Sequence, residues 1–305
     1  MATPLVSAIV PVYNGERFLA QALDSALAQS LRDLEIVVVD DGSSDGSRAI
    51  ADAYAARHPG VVRVHHQPNQ GLCGARNAAL ALARGRHLAL LDADDVWLPH
   101  HLAASVAVLQ RRRGVALVHA DIERVDLNGN SLGCFDRHWD RVGNDVFRTL
   151  FLRREHVCCP TAVFRREIIE RVGNFDMRFN RLGCEDRDLW LRIAAIAEVA
   201  YLEDVHALYR LHGANMSTNF DKMMTARTLL VEKFGTLPRG QPLRRQALAA
   251  AHCNLGDELM DAARRRAAFA AYARAFAVRP IERNALKGML RSLLKPQQNI
   301  GNVAK

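Results

Sequence analysis

Two rhythms of apolar residues alternate along the first half of this chain. A β-branched run at Val6–Val12 and short, largely apolar runs at Leu34–Val39, Val61–His65 and His87–Leu91 read as strands. Between them, Arg17–Ala28, Ser44–His58 and Ala75–Ala83 repeat their apolar positions every three or four residues, as helices do. Alternation of this kind predicts a parallel sheet covered by helices on both faces. A helix is expected to begin near Pro99, Ala116–Val125 reads as a strand followed by an Asn128-Gly129 turn, and Ala162–Arg165 and Ala207–Leu211 read as later strands. Their order in the sheet is not set by the pattern.

From about residue 220 the strand signals stop and Ala, Leu and Arg dominate, which predicts helices. Leu255, Gly256, Ala268, Tyr272, Ala275 and Pro280 sit at the spacing of one tetratricopeptide-like helix pair. A single pair cannot bury its own apolar face, so an ordinary hairpin packed on the rest of the protein is expected. Ala285 to Leu294 places Leu286, Met289, Leu290, Leu293 and Leu294 on one face, with Lys287, Arg291 and Lys295 around the other. Core packing is the expected use of that basic amphipathic helix, and peripheral contact with an anionic membrane is the alternative.

Charge sharpens the boundary. Residues 1–219 hold 25 Arg, no Lys and 27 acids, whereas residues 220–305 hold 16 basic residues and 6 acids, a net +10. The basic character thus belongs to the tail, where no nucleic-acid module is recognisable, so nucleic acid is not an expected partner. No apolar run approaches the roughly 18 residues that span a bilayer, and Met1 to Pro4 lacks the regions of a secretory signal, so a cytoplasmic location is expected. The six cysteines show neither a Cys-x-x-Cys pair nor zinc-type spacing and read as reduced thiols.

Candidate chemistry gathers where the strands end. After His87–Leu91 come Asp92, Asp94 and Asp95, hard oxygen ligands at the carboxyl edge of a sheet, where open α/β sheets hold their ligands. Such a cluster repels itself unless a cation sits in it, and Mg²⁺ or Mn²⁺ carried by a diphosphate is the natural occupant. Taken alone, the same acids fit a solvated turn that caps the next helix equally well. Four further segments bear on the choice: Pro11-Val12-Tyr13-Asn14-Gly15-Glu16 after the first strand, Asp40-Asp41-Gly42-Ser43-Ser44-Asp45 after the second, Ala75-Arg76-Asn77, and Gly183-Cys184-Glu185-Asp186 opening an amphipathic helix.

In this order the five motifs resemble the family 2 glycosyltransferases over roughly residues 5–215. The resemblance implies a GT-A type, mostly parallel nucleotide-binding sheet sandwiched by helices, followed by a helical carboxyl-terminal appendage. A glycosyltransferase domain is expected over residues 1–219, with its nucleotide-binding half to about residue 115 and its acceptor half over 116–219, and the basic helical region over 220–305. The implied reaction is inverting transfer of a sugar from a nucleotide-diphosphate donor, a uridine one, to a hydroxyl of a glycan or lipid-linked acceptor. By the same resemblance Pro11, Tyr13, Asn14, Glu16, Asp41, Arg76 and Asp92 serve the donor, Asp94 binds Mn²⁺ or Mg²⁺ with His212 as a second candidate, and Asp186 is the general base.

Physical reasons accompany these assignments. A strand-end carboxylate such as Asp41 can accept a base-edge N–H, or with Asp40 and Asp45 only shape a turn that caps the next helix. Arg76 near a helix start can face phosphate or form a structural salt bridge, and His212 fits a surface or core position as well as a ligand's. A helix amino terminus should keep Asp186 ionised, whether as base or only as a partner of the dipole. Ser43 or Ser44 is expected to cap the following helix. Asp188 faces elsewhere on its helix, and Trp190 either lines an acceptor site or packs. The polar segment after Asp126, with Asp136, Arg137, Trp139, Asp140 and Arg141, has the composition of an acceptor loop. A sugar nucleotidyltransferase would be expected to carry a Gly-rich, basic amino-terminal loop, which Pro11 to Arg17 does not provide. A non-catalytic binding module is the remaining alternative, and the intact Asp41, Asp94 and Asp186 argue against it.

Overall fold

The computed structural model describes residues 3–134, 145–152, 156–212 and 219–294. Its chain divides into two compact units, Met1–Leu150 with Arg154–Thr218, and Phe151–Arg153 with Asn219–Lys305.

In the first unit the strands β1 (Val6–Val12), β2 (Leu34–Asp40), β3 (Val62–His66) and β4 (His87–Leu90) pair in parallel, in the order β3-β2-β1-β4. All seven residues of β1 are buried, as a strand between two helical layers requires, and its one hydroxyl, Ser7, donates to Glu35 at 2.6 Å. The crossovers are α1 (Leu19–Leu27), α2 (Ser47–Arg57) and α3 (Leu72–Leu82). Ile36, Val38, Leu19, Leu23 and Tyr54 belong to the core that these layers enclose.

Beyond β4 the sheet is mixed. It continues through β8 (Val163–Arg165), β6 (Val115–Val125), β9 (Glu198–Arg210) and β5 (Val96–Trp97), with β7 (Ser131–Cys134) pairing β6 off the main path. β8 runs antiparallel to both β4 and β6, while β6 and β9 are parallel. Helices α4 (His101–Arg111), α5 (Val146–Phe151), α6 (Arg166–Val172) and α7 (Glu185–Ala194) follow in chain order. The strand expected over Ala207–Leu211 is therefore the end of a much longer one, and the two short strands β5 and β7 were not expected from the pattern.

The second unit contains α8 (Phe220–Phe234), α9 (Arg244–Asp261), α10 (Arg265–Val278) and α11 (Arg283–Leu293). Leu255, Ala268, Tyr272 and Ala275 form a shared core with Ala249, Leu259 and Ala285, so the helix-pair positions do face inward. Tyr272 lies across two glycines: a Cβ at Gly256 would stand 2.5 Å from its ring, and one at Gly288 would be closer still. Helix α11 consequently approaches α10 through small residues, Ala285, Gly288 and Ser292. Its leucines are not core. Leu286, Leu290, Leu293 and Leu294 are 50–69% exposed, and only Met289 packs against the cluster, which corrects the packing expected for this helix.

Candidate functional site

Every site residue named from the sequence lies on the first unit, mostly where strands end. Pro11 and Val12 finish β1 beside Val39 and Asp40 of β2. Tyr13 then emerges 55% exposed, and Asn14 adopts φ +51°, turning the chain back over the β2 loop. The two loops are tied together. Asn14 N–H donates to Ser43 Oγ at 3.0 Å, Asn14 Oδ1 accepts from Ser44 N–H at 2.8 Å, and Gly15 N–H donates to Ser47 Oγ at 2.8 Å. Glu16 Oε2 accepts from Gly46 N–H at 2.6 Å, while Glu16 N–H donates to Asp45 Oδ2 at 3.0 Å.

These bonds change two expectations. Helix α2 starts at Ser47 without a side-chain cap from Gly46, and the first-turn amides are served by Glu16 and by Asp45 Oδ1. Ser43 and Ser44 hold Asn14 instead of capping. Asn14 and Glu16, for their part, have their side-chain oxygens turned to the partner loop.

Asp41 is buried, and its carboxylate accepts from Gln67 Nε2 at 2.7 Å, Gln70 N–H at 2.8 Å and Gly71 N–H at 2.8 Å. It thereby anchors the segment that enters α3. Gly71 suits that role because its φ is +79° and a Cβ there would collide with the Asn180 amide. Asp40 is held by Ser43 N–H at 3.0 Å and His66 Nδ1 at 2.9 Å, and these bonds keep its carboxyl below the usual range despite burial.

Arg76 occupies the second turn of α3 and is 1% exposed. Its guanidinium donates to Glu185 Oε1 at 2.7 Å and Asp92 Oδ1 at 2.6 Å, touches Cys159 Sγ at 3.2 Å, and has no partner for Nε. Arg76 thus bridges two acidic motifs rather than facing solvent. Its neighbour Asn77 clamps the Phe175 backbone through both amide atoms, each at 2.9 Å.

The Asp92–Asp95 turn does not cap α4, whose start carries no side-chain cap. Asp94 Oδ2 meets His212 Nε2 at 2.8 Å, and His212 stacks on Phe18 with ring centroids 6.0 Å apart. Asp95 is buried, accepts from Arg210 N–H at 3.0 Å through Oδ1, and leaves Oδ2 without a partner. Burial and mutual repulsion push Asp94 up from the normal carboxylate range, and Asp95 further up. Among the described residues no three His, Cys, Asp or Glu side chains are grouped to hold an ion by themselves. Asp94 and His212 nevertheless form a pair of suitable donors beside an acidic surplus, and Mg²⁺ or Mn²⁺ commonly takes only one or two carboxylates from the protein and the rest of its shell from phosphates and water. The residues present fit a divalent cation carried by such a ligand.

Helix α7 begins from Cys184, which sits in the left-handed region at φ +61°. Glu185 is buried against Arg76, and burial pushes its carboxyl up to about 7 even beside that cation. Asp186 is half-buried, and its Oδ1 accepts from the Arg187 N–H at 2.6 Å. Burial raises its pKa too, against the lowering effects of Arg76 and of the Arg187 N–H. Asp188 turns inward to Arg192 at 2.8 Å, and Trp190 packs edge-on against Phe164. Residues 135–144, with Trp139, lie outside the described residues. Among the described residues no two cysteines form a disulfide.

The sequence leaves a structural salt bridge open as a role of Arg76 without naming its partners. Glu185 and Arg210 carried a signal as charged residues within otherwise apolar or motif segments, but their partners could not be read from local pattern.

A mixed, largely parallel sheet of this topology flanked by helices, with acids at the carboxyl ends of its strands, defines an α/β protein of the GT-A fold type. The model of the glycosyl transferase family 2 matches residues 7–173, and the chain belongs to that family. An uncharacterized glycosyltransferase from Nostoc sp. is 34% identical over 69% of this chain and 66% of its own length. Chondroitin synthase from Escherichia coli is 27% identical over 70% of this chain but only 30% of its own. The chain thus matches two thirds or less of these relatives' lengths. Among solved structures, a Pyrobaculum calidifontis mannosyltransferase in complex with GDP-Man and Mn²⁺ superposes with a TM-score of 0.64 at 24% identity, over 97% of this chain and 82% of that one. TarS 1-349 of S. aureus, in complex with UDP-GlcNAc, gives 0.63 at 19% identity over 94% and 79%. Both share the fold.

Proposed function

We propose that this protein is an inverting, metal-assisted glycosyltransferase that moves a sugar from a nucleotide-diphosphate donor, a uridine one, to a hydroxyl of a glycan or lipid-linked acceptor. The observation that carries this reading is the hydrogen-bonded chain Asp92–Arg76–Glu185, which sets the Asp-x-Asp turn beside Asp186 at one end of the sheet. The neighbours' bound ligands support a nucleotide sugar as donor in proteins of this fold.

In this reading Tyr13 offers an exposed ring to the base, and the Pro11 backbone walls the pocket. Asp41 has about four lone-pair sites and three are occupied, leaving one for a base N–H. Asp92, fixed by Arg76, faces the ribose and diphosphate. Asn14, Glu16 and Arg76 act as supports that hold those groups in place. Asp94 and His212 would hold the cation, which when bound neutralises charge gathering on the departing diphosphate. Asp186 takes the proton of the attacking hydroxyl. Its raised pKa improves its match to that task, because a base works best when its pKa approaches the working pH.

The experiment is a panel of UDP- and GDP-sugars assayed for binding and hydrolysis with Mn²⁺ or Mg²⁺. Asp186→Asn should leave donor affinity near wild type while lowering kcat by roughly 10²–10⁴-fold, the usual contribution of a positioned base. Asp94→Ala should abolish metal-dependent donor binding without unfolding the protein. Unchanged turnover with chelator present would remove the metal, and a donor-KM effect alone at Asp186 would move the base elsewhere.

A further inference from the structure

Helix α11 packs inward through its small residues, and its large apolar ones face outward. Leu286, Leu290 and Leu293 are 50%, 58% and 69% exposed, and Ile281, just before the helix, is 73% exposed. On a helical wheel these three leucines share one stripe, with Arg283 and Lys287 on the same exposed side, whereas Arg291 beyond them is paired to Asp257 at 2.6 Å. A contiguous exposed apolar stripe is an interaction site by default. We infer that α11 docks this protein onto an anionic membrane surface, lying in the plane of the headgroups with Leu286, Leu290 and Leu293 inserted.

Charge selects the occupant. Residues 220–305 carry 16 basic residues against 6 acids, and all five lysines of the chain fall among them. A second copy of the chain would bring the same positive charge to the contact, which opposes self-association through this face. A protein partner is less well matched, since the stripe is purely aliphatic and lacks the Tyr and Trp that anchor protein interfaces. Aliphatic residues flanked by Lys and Arg are what an interfacial helix presents to lipid. The inference is independent of the transfer chemistry, because it concerns the second unit alone.

The test is co-sedimentation of the full chain with vesicles of phosphatidylcholine containing about one-third phosphatidylglycerol, against vesicles of phosphatidylcholine alone, with size-exclusion light scattering in parallel. Binding should be confined to the anionic vesicles and should weaken as salt rises from about 0.05 to 0.5 M, since screening shortens the reach of the surface potential. The triple variant Leu286→Ser/Leu290→Ser/Leu293→Ser should keep its melting temperature, because those side chains are exposed, and lose roughly tenfold or more in partitioning per leucine removed. Lys287→Glu should weaken binding without altering the fold. Failure of the wild type to bind anionic vesicles overturns the inference. So does a wild-type dimer that the triple variant dissociates, or a triple variant that melts early, since either shows the stripe covered by protein.

Discussion

Arg76 is the residue on which the site turns. A guanidinium that is 1% exposed would be costly without partners, and its two carboxylates come from motifs 16 and 109 residues away. Removing it strands both acids, so Arg76→Met should destabilise the protein by about 3–5 kcal/mol, the range for breaking a buried ion pair from one side. The sign of the pH dependence follows from Glu185. Burial pushes its carboxyl up to about 7 even beside Arg76, and losing the guanidinium raises it further, so the loss should be larger at pH 8, where the wild-type carboxylate is ionised and paired, than at pH 5, where it is neutral in both proteins. Urea unfolding at the two pH values checks this. Arg76→Lys should recover little, because one ammonium does not reproduce a two-pronged bridge.

Between elements, two kinds of fit matter. The loops after β1 and β2 are joined by the bonds from Asn14, Gly15 and Glu16 to Ser43–Ser47, and so behave as one rigid lip. In the second unit the contact is steric: Tyr272 closes on Gly256 and Gly288, with its hydroxyl on Asp257 at 2.7 Å. Helix propensity alone would make Gly256→Ala stabilising by up to about 1 kcal/mol. A methyl 2.5 Å from the ring forces repacking, which costs about 1–3 kcal/mol, so the net prediction is a lower melting temperature. In the double variant Gly256→Ala/Tyr272→Leu the two losses should fall short of additive, since the smaller side chain removes the clash.

Across the whole molecule, buried histidines pull stability down in acid, while the raised carboxyls of Glu185, Asp94, Asp95 and Asp186 pull it the other way. Burial, with Arg165 and Arg86 nearby, lowers His87 to about 4; burial and His100 lower His206 to about 4, and His101 is lowered further. An unfolded chain binds these protons near pH 6.5 and the folded one does not. Stability from these groups is therefore full above about pH 6.5 and is lost as pH falls toward 4, by roughly 3 kcal/mol each for His87 and His206. His66 has the opposite sign: its pKa is raised by Asp40 and Asp52, so its contribution is present below about 6.5 and fades as pH rises through the folded value. Denaturant midpoints measured from pH 8 to 4 should show a histidine-driven fall below about 6.5 that Glu185, raised to about 7, partly offsets. His87→Leu should flatten part of that fall, and a slope unchanged by the substitution would assign the acid lability elsewhere.

Local pattern determined β1 to β4, the crossovers between them and the acids at their ends, because strand period and strand termini are set by neighbours in sequence. The same pattern placed α3 late, at Ala75 instead of Leu72, and began α2 at Ser44 instead of Ser47, since the bonds that start both helices come from other loops. Glu198–His206 was missed as strand because acids at 198, 203 and 204 break its alternation, and only pairing with β6 makes it one. The motifs pointed to Asp41, Asp92, Asp94 and Asp186 as a group. Which of the polar side chains are spent on one another was decided by tertiary structure, where Arg76 meets Glu185, Asn14 and Glu16 close on the β2 loop, and His212 meets Asp94. The face that α11 buries was decided there as well. Apolar periodicity identifies a stripe, but Tyr272 fits only against glycine, and that close approach turns the leucines outward. Pairing and packing across long sequence separations depend on shape and distance, and neither is carried by the order of residues nearby.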